Sequence, residues 1–229
     1  EGFRIVYSTA GHQDLYDYTI KCFNTAWKYR FPTYMLADGY QGKMREPVTL
    51  YDPASRGITM VPTEAALRAP GVIGVDREAT HLRNTYNLEE ELMEVLDGYQ
   101  AEFDRISPEI EEYLEYKADD ADVLVIAHGI VARSAMTAID ELRAKGIKAG
   151  LFRPITIRPL PVKPMREAVK RAKRVLFTES ANGQLAQMCL EKLYGLTTPY
   201  ETLFKMGVGV TGDDVVQKVE AMVKEPATV

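Results

Sequence analysis

The chain has 229 residues, 46% of them hydrophobic and 27% charged, with a formal net charge of -5. This fits a soluble globular protein of one large or two small domains with a core of ordinary size, and it supplies no basic stripe of the kind that binds nucleic acid. Two cysteines far apart, Cys22 and Cys189, exclude a disulfide framework, a CxxC metal signature and an iron–sulfur cluster held by this chain alone, and no apolar run approaches the roughly 20 residues of a membrane span.

Residues 4–7 (Arg-Ile-Val-Tyr) read as a short strand. Residues 11–29 follow with an apolar stripe at Leu15, Thr19, Phe23, Ala26 and Trp27, which predicts a helix. Pro32 stops it, and residues 33–37 form the next strand, closed by the turn signal Asp38-Gly39. A β-α-β unit needs a parallel sheet covered on both faces, and about 50 residues cannot close one. The missing strands are therefore expected upstream of Glu1, in keeping with a chain that opens Glu1-Gly2-Phe3. Within this region Asp38-Gly39-Tyr40-Gln41-Gly42 reads either as a turn leaving the sheet or as a strand end that approaches a ligand.

Residues 52–87 form a connector punctuated by Pro53, Gly57, Pro62, Pro70, Gly71 and Gly74. A connection this long without clear elements points to function or disorder. It holds a polar cluster of Asp76, Arg77, Glu78, Thr80, His81 and Arg83. Leu88, Leu92, Val95, Tyr99, Phe103 and Ile106 then repeat at spacings of three and four, a long helix with a solvated acidic face. Ser107-Pro108 reads as the N-cap and first position of a second helix carrying Ile110, Tyr113 and Leu114.

From residue 119 strands and helices alternate cleanly. Strands are predicted at 123–127, 148–152, 174–178 and near 201–206, and helices at 130–145, 162–172, 184–193 and 211–223. Such alternation predicts a mainly parallel sheet with crossover helices. Gly146 is a good residue to follow a helix end. The two cysteines fall within apolar helical patterns and read as core thiols.

Gly207-Val208-Gly209-Val210-Thr211-Gly212 matches G-x-G-x-x-G. Against a dinucleotide site, it precedes the last helix, with no β unit after it to supply a ribose-binding acid. Asp213 and Asp214 in the first helical turn would repel a pyrophosphate, and Thr211 already serves as an N-cap. None of the three histidines pairs with another at metal-ligand spacing. His12 reads as a surface or capping residue. His128 ends a strand, where open α/β sheets bind ligands, although a structural role is the stronger expectation. His81 is the histidine best placed to face a site. No nucleophile elbow, P-loop or triad pattern occurs.

Three blocks together resemble one family. The first is Arg4-Ile5-Val6-Tyr7, Asp14-Leu15-Tyr16-Asp17-Tyr18-Thr19, Lys28-Tyr29-Arg30 and Leu36-Ala37-Asp38-Gly39-Tyr40. The second is Leu82-Arg83-Asn84 before the acidic helix. The third is Ala127-His128-Gly129-Ile130-Val131-Ala132-Arg133 with Arg153-Pro154-Ile155-Thr156-Ile157-Arg158-Pro159-Leu160-Pro161. They look like the α subunit of thiamine-diphosphate-dependent 2-oxoacid:ferredoxin oxidoreductases, most closely the 2-oxoisovalerate branch, across nearly the whole chain.

The resemblance implies an α/β fold in three parts. Residues 1–50 would be the end of a pyrimidine-binding-type thiamine-diphosphate domain, 51–118 a connector loop and helices, and 119–229 a transketolase C-terminal-like, mainly parallel domain. The family's substrate motif and cofactor-activating glutamate belong upstream of Glu1, so no catalytic residue and no metal ligand is expected in this chain. The loop equivalent to residues 74–81 approaches the active-site entrance in relatives, which marks Asp76, Arg77, Glu78, His81 and Arg83. Asp38, Tyr40, His128, Arg133 and Arg153 are the expected strand-end contacts.

The implied reaction is oxidative decarboxylation of a 2-oxoacid to an acyl-CoA. The thiamine ring stabilises the carbanion, and electrons leave singly through iron–sulfur clusters to ferredoxin. Thiamine diphosphate, Mg2+ and [4Fe-4S] clusters are expected through a β subunit and ferredoxin-like subunits, in the cytoplasm, without nucleic acid or membrane. The alternatives are a transketolase or 2-oxoacid dehydrogenase component without iron–sulfur electron transfer, and a non-catalytic interaction module folded from residues 119–229.

Overall fold

The computed structural model describes residues 3–62 and 85–224. The chain builds a first, three-stranded sheet from strand β1 (Ile5–Ser8), helix α1 (His12–Tyr29) and strand β2 (Thr33–Leu36). β1 and β2 run parallel with Ile5 opposite Thr33, so the β-α-β unit is present. The third strand comes from far along the chain. β6 (Thr156–Arg158) lies antiparallel on the other side of β1, giving the order β2-β1-β6.

The second sheet has five strands. β3 (Tyr113–Tyr116), β4 (Val123–Ile126), β5 (Ala149–Pro154), β7 (Arg174–Glu179) and β8 (Tyr200–Phe204) stand in the order β3-β5-β4-β7-β8. All neighbours are parallel except β3 on β5. This is the mainly parallel α/β arrangement that the alternation predicts. β4 is central and fully buried, as its unbroken Val-Leu-Val-Ile run requires of a strand covered on both faces. Helices α3 (Gly129–Ala144) and α6 (Gly212–Lys224) cover one face, with Val125, Leu151, Leu176, Ile139 and Val219 at the centre of that core. Helices α4 (Val162–Arg171) and α5 (Gln184–Lys192) cover the other, around Leu124, Phe152, Phe177, Met165 and Cys189. Each fully buried side chain of this kind contributes about 1.5–3 kcal/mol relative to exposure.

Two stretches differ from the sequence reading. The helix expected to begin at Ser107-Pro108 does not form. Instead α2 (Glu89–Ile110) runs straight through Pro108. The proline stands in the last turn, where its missing N–H removes a single intrahelical bond, and the Ser107 hydroxyl donates back to the Phe103 carbonyl (2.7 Å) instead of capping a new helix. Tyr113 and Leu114 then enter β3, where Tyr113 stacks on Phe152 with ring centroids 5.3 Å apart. The second difference is the Arg153–Pro161 block. β5 continues two residues past Phe152, and the chain then crosses to the first sheet as β6.

A third core joins the first sheet to α2. Ile5, Tyr7 and Phe31 pack on Phe103, Ile106 and Ile110. Burial pushes the Tyr7 phenol up to about 12, against the opposing pull of its hydrogen bond with Thr25. Both cysteines are free. Cys189 is buried and its thiol is pushed up to about 12 by burial, and the half-buried Cys22 is likewise raised to about 11.

Candidate functional site

The two sheets meet at the carboxyl ends of their strands. β1 ends in Ser8 and Thr9, β2 runs into Leu36-Ala37-Asp38, β4 ends at His128, β5 carries Arg153 near its end, and β7 ends in Glu179 and Ser180. Strand ends of open α/β sheets are where backbone groups and helix N-termini converge. Here they enclose a cavity of about 160 Å³, lined by Ser8, Thr9, Asp38, His128 and Glu179 among others.

His128 sits at the head of α3 with extended backbone and makes no side-chain cap to that helix. Gly129 follows at φ +61, and a Cβ there would lie 3.6 Å from the Ser8 hydroxyl. The glycine therefore supplies both the left-handed turn and the room for β1 to approach. The imidazole Nδ1 and Ser8 Oγ are 2.8 Å apart. Burial, and then the nearby Arg153 cation, hold the His128 pKa down at about 4, against the opposing influence of Asp38. The ring is neutral at physiological pH and can both donate and accept a hydrogen bond.

Arg153 passes beneath this pair. It is 7% exposed, and its Nη2 donates to the Ser8 carbonyl (3.2 Å) and to Asp14 Oδ2 (2.6 Å). The same Asp14 oxygen accepts from the Ala10 amide (2.9 Å). One guanidinium from the second sheet thus holds the end of β1 and the first turn of α1, while its buried Nε has no partner.

Asp38 is fixed locally. Its Oδ1 accepts from the Tyr40 amide at 2.7 Å, an Asx-type turn. The buried Gln41 fastens that turn to β1, donating from Nε2 to the Thr9 carbonyl (3.1 Å) and accepting at Oε1 from the Asp38 amide (3.0 Å). The Tyr40 ring reaches outward to Gly209 in the loop before α6. Arg133 points away from the cavity and pairs with Glu46. Glu46 also accepts from the His12 amide (3.2 Å) and bonds His12 Nδ1 (2.8 Å). Those hydrogen bonds, the His12 side chain first, hold its carboxyl down at about 2.

Of the sequence-predicted contacts, Asp38 and His128 line one cavity. Arg153 underlies it, Tyr40 stands on the turn after β2 and reaches Gly209, and Arg133 on α3 pairs with Glu46 outside the cavity. Asp76, Arg77, Glu78, His81 and Arg83 lie outside the described residues. Sequence reasoning missed Ser8, Glu46 and Glu179, and named Gln41 only within the Asp38-Gly39-Tyr40-Gln41-Gly42 segment. Ser8 and Glu179 carried one usable signal, a polar residue ending an apolar strand. Glu46 carried none, since its partners His12 and Arg133 are remote in sequence. Glu179 is 3% exposed, and its two oxygens accept from the Leu185 and Ala186 amides (3.1 and 3.2 Å). It caps α5 and is not free to act as a base.

The glycine-rich loop before α6 is likewise spent. The Asp214 amide donates to Thr211 Oγ1 (3.2 Å), and the Thr211 amide and hydroxyl both donate to Asp214 Oδ2 (2.9 and 2.8 Å). Lys205 adds a further bond to the same oxygen at 2.8 Å. A carboxylate already occupies the place where a phosphate would sit.

Among the described residues no group of three or more His, Cys, Asp or Glu side chains is placed to hold a metal ion. The strand-end cavity, at about 160 Å³, lies below the roughly 300 Å³ at which pockets for cofactor-sized ligands begin. It does not fit thiamine diphosphate.

Comparison with known proteins covers both sheets. Residues 2–115 match the family model described as pyruvate flavodoxin/ferredoxin oxidoreductase, thiamine diphosphate-binding. Residues 121–218 match pyruvate:ferredoxin oxidoreductase core domain II. The chain is 31% identical over 188 residues to the ketoisovalerate oxidoreductase subunit VorB of Methanothermobacter thermautotrophicus, covering 80% of this chain and 50% of that one. It is 26% identical over 249 residues to the 2-oxoglutarate synthase subunit KorA of Methanothermobacter marburgensis, covering 95% and 64%. The solved 2-oxoglutarate:ferredoxin oxidoreductase from Magnetococcus marinus superposes with a TM-score of 0.71 at 20% identity, over 96% of this chain and 42% of that one. The chain spans about half the length of the ketoisovalerate relative.

Proposed function

The chain belongs to the thiamine-diphosphate-dependent 2-oxoacid:ferredoxin oxidoreductase family, and from that premise we propose that it is a subunit of a cytoplasmic assembly that oxidatively decarboxylates a 2-oxoacid. In the balanced reaction a 2-oxoacid carboxylate, CoA thiol and two oxidised ferredoxins give an acyl-CoA, CO2, a proton and two reduced ferredoxins. 2-Oxoisovalerate is the favoured substrate, with 2-oxoglutarate and pyruvate next. The observation that carries this order is the 31% identity to a ketoisovalerate oxidoreductase subunit over 80% of the chain.

The strand-end cavity is too small for the thiamine cofactor, which with its Mg2+ is assigned to the rest of the assembly. The [4Fe-4S] clusters are assigned to ferredoxin-like subunits. This chain supplies residues 1–50 as part of the pyrimidine-side domain, the connector 51–118, and the transketolase C-terminal-like domain 119–229. Its own chemistry is positioning. Arg153 and the Ser8–His128 pair hold the strand ends together, and Asp38 and Tyr40 present a shaped rim to a neighbouring subunit. Asp76, Arg77, Glu78, His81 and Arg83 are assigned to the entrance of the active site.

The test is co-expression of the full chain with the other subunits of its assembly. The readout is viologen or ferredoxin reduction dependent on both CoA and 2-oxoacid. Turnover with 2-oxoisovalerate above 2-oxoglutarate and pyruvate is expected. An assembled complex inactive with all three would overturn the reading. Reduction of lipoamide in place of ferredoxin would move it to the dehydrogenase class.

A further inference from the structure

β1 and β2 share a parallel ladder, and the Thr9 amide extends it by donating to the Leu36 carbonyl at 3.1 Å. The next rung of that register would carry the Asp38 amide to the Thr9 carbonyl. The side-chain amide of Gln41 stands between those two groups instead. It donates from Nε2 to the Thr9 carbonyl (3.1 Å) and accepts at Oε1 from the Asp38 amide (3.0 Å). The Thr9 hydroxyl adds a longer bond to the same Oε1 (3.4 Å). Gln41 is 1% exposed and Thr9 is fully buried. The two strands are thus spread at their carboxyl ends by one inserted amide.

The strand-end cavity opens at that spread, with Ser8 and Thr9 lining it from one strand end and Leu36, Ala37 and Asp38 from the other. Asp38 is tied through its Oδ1 to the Tyr40 amide, so the turn that carries both residues is held where Gln41 holds it. The Asp38 carboxylate and the His128 imidazole both line the cavity, and the charge of the first acts on the second. A neutral amide supplies a donor for Thr9 and an acceptor for Asp38 on one planar group, whereas a carboxylate supplies acceptors only.

We propose that Gln41 is a positioning residue of the enzyme. Its amide is a wedge that keeps the carboxyl ends of β1 and β2 apart, and so fixes how Asp38 and Tyr40 stand toward the neighbouring subunit. Gln41 is itself buried and acts through those two residues. The proposal rests on the reading of this chain as a subunit of a 2-oxoacid oxidoreductase.

The experiment uses the full chain with the other subunits of its assembly and follows kcat/KM for the 2-oxoacid, per assembled complex, across pH. Gln41→Glu and Gln41→Ala are compared with wild type. Glutamate keeps the shape and the acceptor for the Asp38 amide, but it donates to the Thr9 carbonyl only when protonated. Burial raises a glutamate pKa from about 4.3 toward neutrality or above. For Gln41→Glu a loss of about 10–100-fold is expected at alkaline pH, the size that a displacement of about 1 Å produces, and it should recover as pH falls through the raised pKa. Asp14, Asp38, His128 and Arg153 are present in both proteins, so the ratio of variant to wild type isolates the introduced carboxyl. Gln41→Ala should show the loss at every pH, because it leaves the Thr9 carbonyl and the Asp38 amide without their partner. If both variants show a lowered unfolding midpoint but wild-type kcat/KM at all pH once assembled, Gln41 serves the fold alone. That result would overturn the proposal and leave the functional reading standing. A deficit in Gln41→Glu that does not recover toward acid would also overturn it, and this arm holds even where Gln41→Ala fails to fold. A wild-type assembly inactive with every 2-oxoacid would overturn the functional reading and the proposal with it.

Discussion

Between pH 6.5 and 4 the His128 imidazole takes up a proton in the unfolded chain but not in the folded one, whose pKa lies at about 4. The folded state therefore binds fewer protons in that window. Stability is full above pH 6.5 and falls as pH drops toward 4, by up to about 3 kcal/mol from this group. His128→Gln should flatten a plot of unfolding free energy against pH between 6.5 and 4 while leaving the steeper acid limb below it. That limb belongs to carboxyls held at about 2, Glu46 and Asp214, whose contributions are lost only as pH falls through the range below 4.5. Arg153 is the second test at this scale. Arg153→Met removes the cation shared by Asp14 and the Ser8 carbonyl and leaves a partly buried carboxylate behind. A loss of about 2–3 kcal/mol in denaturant unfolding is expected, reduced from that of a fully buried pair because Asp14 reaches solvent. Arg153→Lys should recover little of it, since an ammonium cannot reproduce the planar guanidinium fork. Neither group's role was legible in the sequence. A histidine after a strand and an arginine within Arg-Pro-Ile-Thr both drew notice, but their partners Ser8 and Asp14 lie more than a hundred residues away, and no local pattern reports such a distance.

At the scale of elements, periodicity gave the strands and helices after residue 119 to within about two residues, except the short β6, which it did not give. In that part each element is buried on a defined face, and local pattern and tertiary demand agree. It failed between residues 107 and 116, where a Ser-Pro pair that resembles a helix start lies inside the last turn of α2. The competing influence was burial. Ile106 and Ile110 both enter the core on Ile5 and Phe31, so the helix is held through the proline by packing. Strand β5 offers a sharper test of fit. A Cβ at Gly150 would stand 2.5 Å from the Lys117 carbonyl oxygen and 2.7 Å from the Ala118 Cα, both backbone atoms. Gly150→Ala should cost about 3 kcal/mol or more, read as a lowered unfolding midpoint, because nothing flexible is available to yield. At the start of α6, Thr211→Val removes the hydroxyl that accepts the Asp214 amide. A cost of about 1 kcal/mol is expected by the same measurement.

For the whole molecule, the parallel second sheet and the β-α-β unit were legible because alternation of strand and helix is a long-range signal written locally. The exchange between sheets was not. β3 lies in the second sheet, and β6 leaves the region of the second sheet to pair with β1, with Val6 opposite Arg158. Nothing in a three-residue Thr-Ile-Arg run says which sheet it will join. The consequence concerns the order in which the chain can fold as it is made. About 150 residues separate the two partners of that pairing. At ribosomal rates of about 5–20 residues per second, β1 would wait roughly 8–30 s for its antiparallel neighbour. During that interval β1 has a parallel partner on one side only, and its other edge offers a row of free backbone donors and acceptors. A chain stopped before residue 156 should therefore remain protease-sensitive in residues 3–36, and one released after residue 158 should become resistant there. Pulse proteolysis of stalled nascent chains of the two lengths would distinguish them.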